Sequence, residues 1–508
     1  SAARIEGHSH DQKGLQRHPP SRHARHPLLT SCGAPAPAGA HETATRFGFR
    51  EFAVEGREFH LNGIPVKLRA TAAHPFATSR SDALAYLKLA KEGNNAAMRL
   101  HAQPWPRWWY EAADEVGILI VWESAYFCWG PAYRLEDPAF WANYRENLRG
   151  QLTLHRNSPS VVIWSLENEL LLCSGRRPGE TPRMAYAESR LGEMADFARA
   201  LDPTRPVMFE GDGDPAGKAD VFNLHYPHEY PRWTLWPEEA WWLPRTTETD
   251  IYPGAIPPWP ISKPLYIGEF AWVPPQTGLE GSALFFGDRI YRDLSGRYLD
   301  GKARVWDCQI EAYRALGVQG MDPWNIWEGD FVQPNAQLYD LVKEKYAPNG
   351  LYLREKGTRF FSGERVARTA DLFNDTLAAA DLQVGCELGV EGKKASRFKK
   401  RIQLQPAQSA NFAVSLKAPK VKAATDGTLS CRVEGGGQTL FSWAVPVRVF
   451  PRERLTSPAP LMLYDPGAKA APGGGVEIRE GPGQVTAEAV FGGLAAGVFV
   501  TPLWGDRW

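Results

Sequence analysis

Eight short apolar segments alternate with helical patterns over about 290 residues, and from the second onward each segment ends in or near polar or aromatic residues. An all-β pattern follows. Together these predict an α/β chain, a (β/α)8 TIM barrel followed by an all-β immunoglobulin-like sandwich, with chemistry at the carboxyl ends of the barrel strands.

Residues 1–45 contain many Pro, His, Arg, Ser and Ala and have no hydrophobic period, so a disordered leader is expected. The leader has no apolar h-region of a signal peptide. From residue 46, Phe47 to Val54, Glu58 to Gly63 and Ile64 to Ala70 alternate in polarity around an Asn-Gly turn, which reads as strand, hairpin and strand. The barrel strands are expected at Val66 to Ala72, Ala96 to His101, Ile118 to Glu123, Val161 to Glu169, Val207 to Gly211, Val221 to Tyr226, Leu265 to Glu269 and Gln319 to Trp324. Between them lie helices at Asp82 to Glu92, Pro106 to Val116, Asp137 to His155 and Pro182 to Leu201, and one within Ser282 to Ala315. Asp82 and Asp137 suit N-caps, and Pro106 and Pro138 suit first-turn positions. The barrel is expected over 46–360 and the sandwich over 361–450. Residues 451–508, rich in Pro and Gly, are expected to form an irregular extension or part of a further domain.

Composition narrows the ligand. Lys plus Arg and Asp plus Glu both total 58, so no net charge would hold the chain to nucleic acid or to an anionic membrane. No run reaches membrane-spanning length, and a soluble chain of unassigned compartment is expected. The 19 Trp cluster largely between residues 105 and 327, and indole faces stack on C–H-rich surfaces such as sugar rings. Trp105, Trp108 and Trp109 flank a helix start and are expected in the core, whereas Trp122 and Trp129 are candidate sugar subsites. The six cysteines show no CxxC or Cys/His spacing, so neither a zinc site nor a redox dithiol is implied. Cys386 and Cys431 suit either an inter-sheet disulfide or two buried thiols.

The sharpest signal is Val161-Val-Ile-Trp-Ser-Leu-Glu-Asn-Glu169, an apolar strand that ends in two carboxylates around an amide. Glu169 at the tip of the fourth strand and Glu269 at the tip of the seventh are placed to face each other across the barrel mouth. Glycoside hydrolysis needs such a pair, one group to protonate the leaving oxygen and one anion beside the anomeric carbon. Arg99 is placed to keep the second carboxylate ionised. His74 and His101 end the first two strands and either contact sugar hydroxyls or bond backbone. A metal pair is disfavoured because no third ligand has suitable spacing.

Phe47-Gly-Phe-Arg50, Phe59-His-Leu-Asn-Gly63, Asn95-Ala-Ala-Met-Arg-Leu-His101 with Pro104, Asp114-Glu-Val-Gly-Ile118, Arg156-Asn-Ser-Pro-Ser160, Trp164-Ser-Leu-Glu-Asn-Glu169 and Ile267-Gly-Glu269 together resemble glycoside hydrolase family 2 in identity, order and spacing. The likeness covers roughly residues 46–335. It implies a retaining, two-step reaction with Glu169 as acid/base and Glu269 as nucleophile, Asn168 on the sugar 2-hydroxyl, Arg99 supporting the nucleophile, and Trp324 or Trp327 flooring the sugar subsite. No cofactor and no metal are expected. Either His225 or Tyr226 would take the position beside the nucleophile, and Glu167 has no counterpart role. The family's usual N-terminal domains are missing but for at most one strand, as in a minimal version or a fragment with a foreign leader. No Asn-x-Lys pair stands near the eighth strand, which disfavours an acidic sugar. The resulting expectation is an exo-acting β-glycosidase of a neutral hexoside, β-galactoside first. The alternatives are other β-glycosidase specificities (β-mannosidase, β-glucosidase, β-glucuronidase) or a carbohydrate-binding barrel with weakened turnover. The partner is a carbohydrate, and no oligomeric state is indicated.

Overall fold

The computed structural model describes residues 28–32, 45–73, 79–127, 133–173, 181–225, 259, 262–270, 297–327, 334–391, 393–452, 476–481, 484–491 and 494–500. Eight parallel strands form one sheet: Leu68–Ala73, Ala97–Leu100, Leu119–Glu123, Val161–Asn168, Val207–Glu210, Phe222–His225, Leu265–Phe270 and Gly320–Pro323. Its order runs from the fifth strand down to the first, then eighth, seventh and sixth, the order of a (β/α)8 barrel. The seam between fifth and sixth strands is held by Asp220 N donating to Val207 O over 2.9 Å and Gly211 N to Asn223 Oδ1 over 2.8 Å.

The pairing register shifts near the carboxyl ends, between Met208 and Glu210, between Leu224 and His225, and between Ile267 and Phe270. Such irregularities re-aim side chains. Here they set Glu210 opposite Asn168 and His225 opposite Glu269.

At the other end of the barrel, the meander Phe52–Glu55, Glu58–Leu61 and Ile64–Val66 turns at Asn62-Gly63, both with positive φ, as the Asn-Gly signal requires. Phe52, Phe59 and Val66 pack with Val162, Ile163, Met208 and Tyr266, so this end is plugged by side chains. A ligand must approach from the carboxyl ends.

Helices Arg80–Glu92, Arg107–Val116, Pro138–His155, Thr181–Leu201 and Arg297–Ala315 cover the barrel. Asp137 caps its helix through Ala139 N at 2.8 Å. Asp82 does not act as the cap of its helix: Ser79, three residues earlier, accepts from Asp82 N, which extends the helix by two residues. Pro106 likewise takes the cap position and not the first turn. Helix Ala336–Lys345, capped by Asn335, follows the eighth strand and is an element the sequence pattern did not single out.

A three-stranded sheet (Leu351–Leu353, Arg365–Asn374, Gln408–Lys417) and a five-stranded sheet (Arg359–Phe361, Ala380–Val390, Ser396–Leu404, Thr425–Gly435, Gln438–Phe450) share a second core. Strands of alternating burial bury one face and expose the other, as sandwich strands do. Cys386 and Cys431 are bonded, but within one sheet, on directly opposed positions of adjacent strands, so the bond does not bridge the two sheets. Within the stretch expected to be disordered, Leu28–Cys32 pairs antiparallel with Thr45–Phe49. In the last stretch, Val476–Gly481, Gln484–Phe491 and Leu494–Val500 form an antiparallel sheet. No helix among the described residues is long and apolar enough to cross a membrane.

Candidate active site

Arg99, at the end of the second strand, organises the barrel mouth. Its guanidinium is fully buried and donates Nε to Glu123 Oε2 (2.7 Å), Nη1 to Glu269 Oε1 (2.8 Å) and Gly268 O (3.2 Å), and Nη2 to Asn168 Oδ1 (2.5 Å). Side chains from the third, fourth and seventh strands thus converge on one cation of the second. Burial alone would weaken its charge, but Glu123, Glu210 and Glu269 outweigh that and keep it protonated.

His225 forms the second bridge. Nδ1 is 2.7 Å from Glu169 Oε1 and 3.8 Å from Glu269 Oε1, and Nε2 is 3.0 Å from Glu210 Oε2. Burial opposes charge on this ring, yet Glu269 and the hydrogen bonds to Glu169 and Glu210 push its pKa up to about 10. Glu210 also accepts from Asn223 Nδ2 at 2.7 Å. Despite burial, Arg99 and these hydrogen bonds hold Glu210 below the usual carboxylate range. Glu123, by contrast, is raised to about 7, because burial and the nearby Glu210 charge exceed the help that Arg99 gives.

Glu169 is the first residue past the fourth strand and adopts φ +54°, a left-handed conformation uncommon for a side-chain-bearing residue. Its amide donates to Glu210 O at 2.8 Å, which ties the turn to the fifth strand. Gly211 and Gly268 allow the close approach. A Cβ on Gly211 would lie 2.9 Å from Glu169 Cγ, and one on Gly268 would lie 2.0 Å from Glu210 Oε2.

His101 sits beside Arg99, whose Nη2 is 3.1 Å from Nδ1, and its ring meets Trp324 edge-on with centroids 4.6 Å apart. Burial and the Arg99 charge lower its pKa to about 3, so the ring is neutral and its Nδ1 accepts from Arg99. Of the expected site residues, Arg99, His101, Asn168, Glu169, His225, Glu269 and Trp324 therefore come together. Two tryptophans do not. Trp122 is fully buried against Trp164 between barrel and helices, and Trp327 stacks on Tyr86 of helix Arg80–Glu92 at 4.0 Å, so neither offers a face to a sugar. His74, Tyr226 and Trp129 lie outside the described residues. Glu123, Glu210 and Asn223 belong to the cluster although sequence reasoning assigned them no role; for the two glutamates the only signal was their position at strand tips.

Oxygens of Glu169 and Glu269 and a ring nitrogen of His225 lie within 4.8 Å of one another, a spacing that also suits metal ligands. Ligation would require His225 to give up a proton that three carboxylates stabilise. The chemistry of the set is that of hydrogen-bonded acids around two cations.

Residues 50–240 match the family model described as "Glycosyl hydrolases family 2, TIM barrel domain". Over this span the chain is similar to the barrel domain of glycoside hydrolase family 2. Among curated relatives, it is 29% identical over 230 residues to a "Beta-galactosidase" of Alteromonas mediterranea, covering 43% of this chain and 19% of that one. It is 24% identical over 449 residues to a "Beta-galactosidase" of Yersinia pestis bv. Antiqua, covering 83% of this chain and 39% of that one. The chain thus spans two fifths or less of the length of these relatives. Among solved structures, the apo structure of Bacteroides uniformis beta-glucuronidase 3 gives a TM-score of 0.49 at 16% identity, covering 91% of this chain and 58% of that one. The residues at the mouth of the barrel lie within the matched span, except for Glu269 and Trp324, which come later along the chain.

Proposed function

We propose that this barrel is the catalytic domain of a retaining exo-β-glycosidase, with Glu169 as acid/base, Glu269 as nucleophile and a terminal neutral β-hexoside, first a β-galactoside, as substrate. The observation that carries the reading is the approach of carboxylate oxygens of Glu169 and Glu269 to within 4.8 Å. Retaining enzymes hold their carboxyl groups about 5 to 5.5 Å apart, whereas inverting enzymes leave about 6.5 to 9.5 Å for a water.

In the first step Glu269 attacks the anomeric carbon, the bond to the leaving oxygen breaks, and Glu169 supplies that oxygen with a proton. In the second, water attacks the glycosyl ester, Glu169 takes its proton, and Glu269 leaves as carboxylate. Arg99 holds one oxygen of Glu269 and so fixes the direction from which it attacks. His225 Nδ1, 2.7 Å from Glu169 Oε1, fixes the orientation of the acid/base carboxyl group. Asn168 Oδ1 is fixed by Arg99, while its buried Nδ2 has no protein partner among the described residues and is suited to a sugar hydroxyl. Trp324, edge-on to His101, is suited to stack on the sugar face. The names of the relatives favour a galactoside.

A panel of nitrophenyl β-glycosides, assayed with and without chelator, tests the reading. Hydrolysis of the β-galactoside that is insensitive to chelation and abolished in Glu269→Gln is expected. Chelator-dependent activity, or normal activity in that variant, contradicts it.

A further inference from the structure

Glu167 has no place in that reaction, yet it is fully buried two residues before Glu169. Its Oε2 accepts from Leu170 N at 2.7 Å. Asp212, in the turn after the fifth strand and also fully buried, accepts from Leu171 N with Oδ2 at the same distance. The two side chains also lie close enough to interact with each other. The fourth strand and the turn after the fifth thus send one acid each to grip consecutive amides, and those amides follow directly on the residue with left-handed backbone.

A hydrogen bond between two carboxyl groups needs a proton on one of them. We propose that Glu167 and Asp212 form a carboxyl–carboxylate clamp, sharing one proton, that positions the backbone of Glu169 for proton transfer to the leaving group. The proposal rests on the reading of Glu169 as acid/base. Burial and the adjacent Asp212 raise Glu167 well above the carboxylate range, consistent with the shared proton. The other groups facing the pair are Glu123 of the third strand, Tyr144 of helix Pro138–His155, and Tyr126 beside Tyr144. Tyr144 is committed to Leu166 O, as is Ser124 Oγ, so the carbonyl immediately before Glu167 is held as well. Capping the short turn Leu170–Cys173 needs only one acceptor. A second buried acid in contact with the first has a cost in desolvation that a simple cap does not explain.

The clamp makes a prediction that a merely structural role does not. Proton donation matters for a poor leaving group and hardly for 2,4-dinitrophenolate. In the full chain, Glu167→Ala is expected to lower kcat on an alkyl β-galactoside by about 30-fold, with kcat on the dinitrophenyl galactoside changed less than about threefold and KM little moved. Glu167→Gln, whose amide can donate to Asp212 and whose oxygen can accept from Leu170 N, is expected to restore most of the loss. Equal slowing of both substrates, or no effect on the alkyl galactoside, overturns the clamp. If the wild-type chain hydrolyses no glycoside, the functional reading fails, and infrared spectroscopy decides the clamp separately, as it does if Glu167→Ala does not fold. A protonated-carboxyl band at neutral pH that disappears in Glu167→Gln supports the shared proton; an unchanged band overturns it.

Discussion

Arg99 donates to Glu269 over 2.8 Å from a side chain with no exposure to solvent. The same guanidinium reaches Glu123, Asn168 and the Gly268 carbonyl, so the position of Glu269 is fixed by a fork whose other prongs are fixed too. A lysine can place one charge but not this fork. Arg99→Lys should lose about 100-fold or more in kcat/KM, and Arg99→Ala should be destabilised by about 3–5 kcal/mol because it leaves carboxylates buried without their cation. Steady-state kinetics and denaturant unfolding measure the two effects.

His225 gives stability a pH dependence of known sign. Its folded pKa of about 10 lies above the ordinary value of 6.5, because the carboxylates of Glu269, Glu169 and Glu210 outweigh the burial that opposes charge. The proton is therefore bound more tightly in the folded state. This contribution is fully present below pH 6.5 and is lost as pH rises through about 10. The melting temperature of wild type should fall across that window, and the profile of His225→Gln should be flatter there; parallel profiles would argue against the charged imidazole.

Gly268 is a position where one methyl group should be enough to disable the site. A Cβ there meets Glu210 Oε2 at 2.0 Å and both Asn223 Oδ1 and His225 Nε2 at 2.7 Å, all of them buried. Gly268→Ala should lose about 100-fold in kcat/KM and about 2–3 kcal/mol of stability. Gly150, in helix Pro138–His155 with nothing near its missing Cβ, is the control. Gly150→Ala should gain roughly 0.5–1 kcal/mol with unchanged kinetics.

The Cys386–Cys431 bond closes a separation of 45 residues within the core of the sandwich, a core separate from that of the barrel. Chain entropy predicts about 4 kcal/mol of stabilisation for a loop of this length. Reduction should lower the calorimetric transition of the sandwich and leave kcat unchanged.

The barrel was legible because its strands are continuous apolar runs that stop at polar tips, a pattern set by burial on both faces. Glu169, Glu269, Asn168 and Arg99 were legible because each ends such a run. Trp122 and Trp327 were not, since a tryptophan near a strand tip carries no mark of whether it turns toward the mouth or into the layer beneath the helices. The double bridge of His225 depends on register shifts in the fifth and sixth strands that no periodicity announces. Glu167 looks idle in the sequence because the acid it faces, Asp212, lies in the turn after the next strand. Helix Ala336–Lys345 was missed because it follows the last barrel strand and its amphipathic period spans barely three turns.

Trapping with 2,4-dinitrophenyl 2-deoxy-2-fluoro-β-galactoside, followed by peptide mass mapping, tests the two-carboxylate account most directly. The 2-fluoro substituent slows both steps, and the activated leaving group lets the first outrun the second, so the glycosyl ester accumulates. The account predicts a single fluoroglycosyl adduct on Glu269, absent in Glu269→Gln. An adduct on another residue, or steady hydrolysis of the galactoside with inversion and no adduct, would contradict it.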